Sequence, residues 1–498
     1  MASWAADVEI GSDTVDAYEL RDVLGDWEAG GGRPVDRLVA ALKVAIAGGL
    51  LSAGTRLPAE RQLASVLGIS RGTVVRAYAR LRDDRLVHTR HGSGTVVGSG
   101  DEDGRAASPA TRLSASSINA VLAGPRAEGV DLRVAAWDAD VDLLRELELP
   151  TTEEFRAVAA GTAGYWPLGH PILRAALARH LTTLGLPTEP EQIIVTNGGQ
   201  QAVDVLLTAR LRPGDPLLLE DVSWSGILEL LTLRHLRAST VPEAAKDPVT
   251  LLRALRERRA DLAFLIPSHH NPTGAVMPPH VRRLVVEAAA EGGVLLIDDL
   301  IFHELWIDEP PPPPLAATVP ELAEHVVTVG SLSKLVWGGL RVGWIRAEPA
   351  QVPQLARVKT AIDLGMAVSP QLAAARTLAG LQPLLTRRRS LLRERREALA
   401  QALTERLPEW TFDLPAGGMS MWVGLGGVSG DAVAAAAAAH GVLVPPARAC
   451  SSLGRDLDRV RLTLSRPPDE LRRAVDGLAR AWQDVRRRET PGAGTLVG

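Results

Sequence analysis

Five apolar runs in the middle of the chain constrain its fold most: "QIIVTN" at 192–197, "DPLLLED" at 215–221, "LAFLIP" at 262–267, "GVLLIDD" at 293–299 and "HVVTVGS" at 325–331. Each has the length of a strand, and stretches of helical spacing lie between them. This alternation predicts a sheet covered by helices on both faces. A chain of 498 residues has room for further units beside that one.

Charge divides the chain before any motif does. Residues 1–31 hold eight acids and one base, net −7, whereas residues 33–97 hold eleven Lys or Arg and four acids, net +7. A compact basic segment in an otherwise acidic protein points to a polyanionic partner for that segment alone. The stretch 98–118, opening "GSGDEDGRAASPATRLSASS", has almost no large apolar residue and reads as a flexible linker. The expected organisation is an acidic extension at 1–32, a basic domain at 33–97, the linker at 98–118, a large domain at 119–485 with a smaller subdomain from about 370, and a tail at 486–498. No apolar run approaches the roughly 20 residues of a membrane span, and the first residues have no basic start followed by an apolar stretch, so a cytoplasmic protein is expected. The single cysteine, Cys450, excludes an internal disulfide.

Within the basic domain, "VDRLVAALKVAI" repeats apolar residues at helical spacing and stops at Gly48 and Gly49. A second short helix follows in "AERQLASVLG", and a third opens at Ser70, a good N-cap, in "ISRGTVVRAYARLRDDRL". "VHTRHGSGTVV" then reads as a hairpin around a Gly-rich turn. Three helices and a hairpin make an α+β winged helix-turn-helix, whose second motif helix enters the DNA major groove. The wording "LPAER…LA…SRGTVVRAYARL…GSGTVV" resembles the DNA-binding domain of the GntR family of bacterial regulators. That resemblance implies double-stranded operator DNA as partner, and DNA contacts at Arg61, Ser70, Arg71, Thr73, His91 and Gly92. Where many members of that family carry Arg, this chain has Val75, with Arg76 next.

The large domain carries chemistry of another kind. Lys334 is one of only four lysines, although Lys and Arg together number 55, and it stands in "SLSKLVWGGLRVGW". Pyridoxal 5′-phosphate, an aldehyde cofactor, needs a lysine for its Schiff base, an acid at the pyridine nitrogen, a phosphate cup and an aromatic against its ring. Ser331, Ser333 and Arg341 surround the lysine in sequence and suit a phosphate. Gly198, Gly199 and Gln200 open a helix directly after a strand, where backbone amides favour an anion. Trp224 can stack on the ring, Asn271 in "HHNPTG" can donate to its hydroxyl, and the acid at the end of "VLLIDD" can hold its nitrogen protonated. That acid is Asp298 or Asp299, which strand alternation places on opposite sides.

These landmarks, with "GYWPLGHPILRAALARHL" before them and "RVRLTLS" after, resemble the fold type I aminotransferases of class I and II. The resemblance implies a large α/β domain with a smaller C-terminal α+β subdomain. It further implies that Asp299, in "DDLIFHEL", is the acid at the pyridine nitrogen, that Tyr165 reaches the phosphate of a neighbouring subunit and that Arg461 binds a substrate carboxylate. The phenol usual in that family after the catalytic acid is replaced here by Ile301, or by Phe302 if the offset shifts by one. A GntR-type head, a linker and an aminotransferase-like domain together resemble the MocR family of regulators. Such a chain is expected to form a head-to-tail homodimer, to bind no metal and no membrane, and to sense an amine, an amino acid or the cofactor itself. A working aminotransferase with a fused DNA-binding module is the alternative.

Overall fold

The computed structural model describes residues 15–24, 27, 33–47, 51, 55–83, 86–90, 94–97, 129–138, 150–455 and 457–489. The linker expected at 98–118, His91 and Gly92 of the wing, and most of the acidic extension lie outside the described residues, as do 490–498 of the tail. The chain divides into two compact units, residues 1–111 and 112–498.

The first unit contains helices α1 (Ala17–Leu24), α2 (Pro34–Ala47), α3 (Glu60–Val66) and α4 (Arg71–Asp83), and strands β1 (Val87–Arg90) and β2 (Gly94–Val97). Pro34 occupies the first turn of α2, where its missing N–H is no loss. Ser70 accepts the Thr73 amide at 3.2 Å and so starts α4. β1 and β2 pair antiparallel with Val87 opposite Val97. Leu38, Leu42, Leu63, Val74 and Tyr78 pack as the core, and the Tyr78 hydroxyl donates to the Pro58 carbonyl at 3.0 Å.

One element differs from the sequence expectation: α1 lies in the stretch read as a mere acidic extension. Val15, Leu20, Leu24 and Trp27 are buried in the same core as α2 and α4. Two of the acids have a local purpose. Asp16 accepts the amides of Tyr18 at 2.7 Å and Glu19 at 2.9 Å, and Glu19 accepts the Asp16 amide at 2.9 Å. This reciprocal pair caps the helix.

The second unit is built on a seven-stranded sheet. After a two-residue strand β3 (Val130–Asp131), its strands are β4 (Ile193–Thr196), β5 (Pro216–Glu220), β6 (Arg237–Val241), β7 (Leu262–Leu265), β8 (Leu295–Asp299), β9 (Val326–Ser331) and β10 (Gly343–Arg346). Their spatial order is β4-β10-β9-β8-β7-β5-β6. Only β10 runs antiparallel to its neighbours, β4 and β9. Strand alternation fills both faces. Leu217, Leu219, Phe264 and Ile297 join one apolar cluster, while Leu218, Ala263, Leu265 and Leu296 join another. β6 and β10 are additions to the five expected runs. β6 is an edge strand of mixed polarity, "RASTV", and β10, "GWIR", has two apolar residues between a glycine and an arginine, so neither stands out as an apolar run.

A smaller sheet, β11 (Thr411–Phe412), β12 (Ser420–Gly424) and β14 (Arg459–Thr463), is antiparallel in the order β11-β12-β14. The strand β13 (Val442–Leu443) pairs parallel with β3. Residues 129–138 therefore join the small C-terminal layer, although the sequence places them far from it. Helices Leu381–Arg406 and Pro468–Glu489 cover this layer. Trp410 and Trp482 meet edge to face at 5.6 Å between ring centroids. Among the described residues, no helix is long and apolar enough to cross a membrane.

Candidate functional site

Four landmarks converge at the carboxyl ends of the parallel strands, where open α/β sheets hold ligands. Glu220 ends β5, "SHHNPTG" follows β7, Asp299 ends β8 and Ser331 ends β9. Lys334 stands in the short connection that returns β9 into the antiparallel β10. Its Nζ donates to the Ala135 carbonyl at 2.6 Å, and its own carbonyl accepts the Trp137 indole at 2.6 Å. Burial, with Arg461 and Arg341 adding positive charge nearby, pulls the Lys334 amine down to about 8.

The Gly198 segment forms a cradle. Its φ of +78° is left-handed backbone that favours glycine. A Cβ there would meet Arg341 Nη2 at 2.8 Å, so the guanidinium lies directly on the backbone that opens helix Gly198–Arg210. Arg341 donates to the Asn197 carbonyl at 2.7 Å. A Cβ on Gly343 would meet the Gly198 carbonyl carbon at 2.5 Å, and one on Gly199 would meet Ile301 Cδ1 at 2.6 Å. Ser331 Oγ lies 3.0 Å from Ser333 Oγ and 3.1 Å from the Val342 carbonyl. Gln200 turns toward Trp224, donating to the Gly226 carbonyl at 3.2 Å. These contacts bring Gly198, Gly199, Ser331, Ser333, Lys334 and Arg341 into one region, with Gln200 and Trp224 meeting at its side.

Alternation separates the two acids at the end of β8. Asp298 accepts the Leu315 amide at 2.7 Å and faces Arg282; burial raises its carboxyl to about 6 despite that arginine. Asp299 accepts the Ile301 amide at 2.8 Å. Burial raises its carboxyl to about 7, opposed by the Ile301 amide and by His270, and reinforced by Asp298. Ile301 is the residue beside Gly199, whereas Phe302 is buried in the core. Asn271 is buried, and Arg461 in β14 donates to the Arg133 carbonyl. Tyr165 is 68% exposed.

In the first unit, Arg61, Ser70 and Arg71 are exposed, and Arg71 pairs with Glu60 at 3.2 Å. Thr73 is buried, its hydroxyl 2.9 Å from that of Ser70.

A family model for aminotransferase class I and II matches residues 149–478, the part that holds this site. The chain belongs to the aminotransferase class I and II family. Residues 34–97 match a second model, that of bacterial regulatory proteins of the gntR family. Similar proteins include HTH-type transcriptional regulators. The HTH-type transcriptional regulator TauR of Rhodobacter capsulatus is 29% identical over 83% of this chain and 88% of its own length. The uncharacterized HTH-type transcriptional regulator YdfD of Bacillus subtilis is 27% identical over 78% of this chain and 83% of its own. Among solved structures, the α-aminoadipate aminotransferase LysN of Thermus thermophilus, complexed with N-(5′-phosphopyridoxyl)-L-leucine, is 27% identical. It covers 76% of this chain and 97% of its own length with a TM-score of 0.68.

The sequence reading missed the buried partners of "HHNPTG". His270 lies between Glu220 and Thr273, and Glu243 lies beyond Thr273. His269, with φ +56°, fills the space against Gly417. The run of two histidines before Asn271 was the available signal, but their partners stand on strands and loops remote in sequence.

Proposed function

We propose that this chain is a DNA-binding transcriptional regulator of the MocR type that binds pyridoxal 5′-phosphate at Lys334 and changes its DNA binding when an amine or amino acid occupies the same site. The observation that carries this reading is the joining of two sets of residues in one chain: an aldehyde-cofactor constellation around Lys334 and an exposed GntR-type helix start at Ser70 and Arg71.

The donor set fits the cofactor. The space over Gly198 that a Cβ would fill holds the Arg341 guanidinium, which can pair with a phosphate together with the amides of Gly199 and Gln200 and the hydroxyls of Ser331 and Ser333. Trp224 would lie against the ring and Asn271 would donate to its hydroxyl. Asp299 would hold the ring nitrogen protonated. Once bound, pyridoxal phosphate supplies an aldehyde that condenses with amines and a ring that withdraws electrons from the attached carbon. Lys334, held below the ordinary lysine range, presents a free amine at mildly alkaline pH. Arg461 would receive the ligand's carboxylate. Tyr165, exposed on a single chain, would reach the phosphate of the other subunit in a head-to-tail homodimer.

DNA is read by the first unit. Arg61, Ser70 and Arg71 would face the duplex, with Thr73 securing the cap of Ser70, and His91 and Gly92 would belong to the wing. A cytoplasmic location follows from this role. A second reading, an active aminotransferase with a fused DNA-binding module, is favoured by the likeness to LysN and by the retention of Lys334, Asp299 and Arg461. The two separate in one experiment. The purified chain is given pyridoxal phosphate, amino acids and 2-oxo acids, and both product formation and binding to the DNA upstream of its coding sequence are followed. A ligand-dependent change in DNA affinity with little turnover supports the regulator. Rapid multiple turnovers with DNA affinity unmoved would overturn it.

A further inference from the structure

His270 is 3% exposed and sits among charges at the carboxyl edge of the sheet. Glu220, at the end of β5, places Oε2 3.1 Å from His270 Nε2. That contact is off the ring's donor direction, so it is an ion pair by distance more than a directed hydrogen bond. The other Glu220 oxygen accepts the Ala244 amide at 2.8 Å, which fixes the carboxylate in place. On the opposite side of the ring, His270 Nδ1 lies 2.9 Å from Thr273 Oγ1, and Thr273 Oγ1 lies 3.1 Å from Glu243 Oε1.

Proton counting decides the charge of this ring. A threonine hydroxyl has one hydrogen, and a carboxylate can only accept, so Thr273 must donate to Glu243. Its remaining lone pairs then face Nδ1, which must carry a hydrogen. Nε2 lies 3.1 Å from a buried Glu220 carboxylate oxygen, a separation at which an unprotonated nitrogen and a carboxylate, both electron-rich, repel, so it too carries one. We infer that His270 is held as an imidazolium and favours the anionic form of Asp299, at the end of the strand beside the one that leads to His270, acting on the candidate cofactor site as a positioning residue through Asp299.

The surroundings agree with this charge. The carboxylates whose charge acts on the ring are Glu220 on β5, Glu243 after β6 and Asp299 at the end of β8, the strand beside β7. Lys246 pairs with Glu243 from the outside at 3.2 Å. Burial disfavours a charged His270, but the three carboxylates outweigh it and raise its pKa. The reverse influence is also present: His270 opposes the upward push that burial gives Asp299. A carboxyl that is buried this deeply needs such a neighbour to stay ionised.

The consequence for the cofactor rests on the assignment of pyridoxal phosphate to this site, whereas the charge of His270 does not. Two measurements keep them apart. The full chain, without cofactor and with histidines labelled in ¹⁵N, is examined by long-range ¹H–¹⁵N NMR, and His270 is assigned by its loss in His270→Gln or its displacement in Glu220→Gln. Both ring nitrogens should be protonated at neutral pH, above the ordinary histidine range. A single unprotonated nitrogen at neutral pH overturns the inference and leaves the cofactor assignment intact. The second measurement follows the absorbance of added pyridoxal phosphate against pH. In His270→Gln the midpoint should move up by about one pH unit, and Glu220→Gln should move it in the same direction. An unchanged midpoint in variants that still take up the aldehyde overturns the link to Asp299. Failure of the wild-type chain to take up the aldehyde would instead refute the cofactor assignment.

Discussion

Gly198→Ala tests the cradle directly. At φ +78°, alanine occupies a region that costs an L-residue about 1–2 kcal/mol. The added Cβ would also stand 2.8 Å from Arg341 Nη2 and 3.0 Å from Cζ. The guanidinium is the far end of a flexible side chain and would yield, giving up its 2.7 Å hydrogen bond to the Asn197 carbonyl and its place over the helix start. Losing one charged hydrogen bond to a phosphate costs about 1.5–3 kcal/mol, so we predict that affinity for pyridoxal phosphate falls by about ten- to a hundred-fold. Absorbance titrations with pyridoxal phosphate and with pyridoxal, which lacks the phosphate, separate cradle from pocket. The phosphorylated aldehyde should lose affinity while the unphosphorylated one keeps it. Equal losses for both, or no loss for either, would refute the placement of the phosphate at Arg341 and the helix start after Gly198.

Four further outcomes follow. With the Lys334 amine pulled down to about 8, its reactive unprotonated fraction falls as pH drops below that value. The stopped-flow rate of aldehyde uptake should then decline about tenfold per pH unit on the acid side, and a pH-independent rate from neutral to mildly acid pH would contradict the shift. Leu20→Ala in α1 removes a fully buried side chain from the DNA-binding unit and should destabilise that unit by about 2–5 kcal/mol in denaturant unfolding, which a dispensable acidic extension would not show. Tyr78→Phe leaves the Pro58 carbonyl without its 3.0 Å donor and should cost the same unit about 1–3 kcal/mol in the same assay. Arg71→Ala should weaken DNA binding and reduce the steepness of its salt dependence by about one if Arg71 contacts phosphate, whereas an unchanged slope places it elsewhere.

How far the sequence revealed these features depended on where the partners of each residue lie. β5, β7, β8 and β9 are buried on both faces, so their apolar runs stand out, whereas β6 at the sheet edge and β10, with two apolar residues between a glycine and an arginine, carry no comparable run. α1 was hidden by its acids. Asp16 and Glu19 read as net charge in a one-dimensional count, and only the folded helix shows them capping it. In the site, Lys334, Gly198 and Asp299 are legible because local motifs at strand ends announce them. Alternation along β8 correctly sends Asp298 and Asp299 to different partners, Leu315 and Ile301. The His270 cluster was not legible, because Glu220 and Glu243 belong to other strands and loops and reach the ring only through the sheet order β8-β7-β5-β6. The same reason hid the joining of residues 129–138 to the Lys334 region and to β13, since those contacts cross most of the domain in sequence.

The central claim is that chemistry at Lys334 alters DNA binding by the same chain. Fluorescence anisotropy of the DNA upstream of its coding sequence, titrated with wild type and Lys334→Ala, tests it most directly. Each protein is measured alone, with pyridoxal phosphate, and with pyridoxal phosphate plus a panel of amines and amino acids. Both proteins should bind the DNA in a salt-sensitive, sequence-selective way, and only the wild type should change affinity when cofactor or ligand is added. Wild-type affinity that stays constant across every addition, or a Lys334→Ala protein that responds equally, would contradict the account.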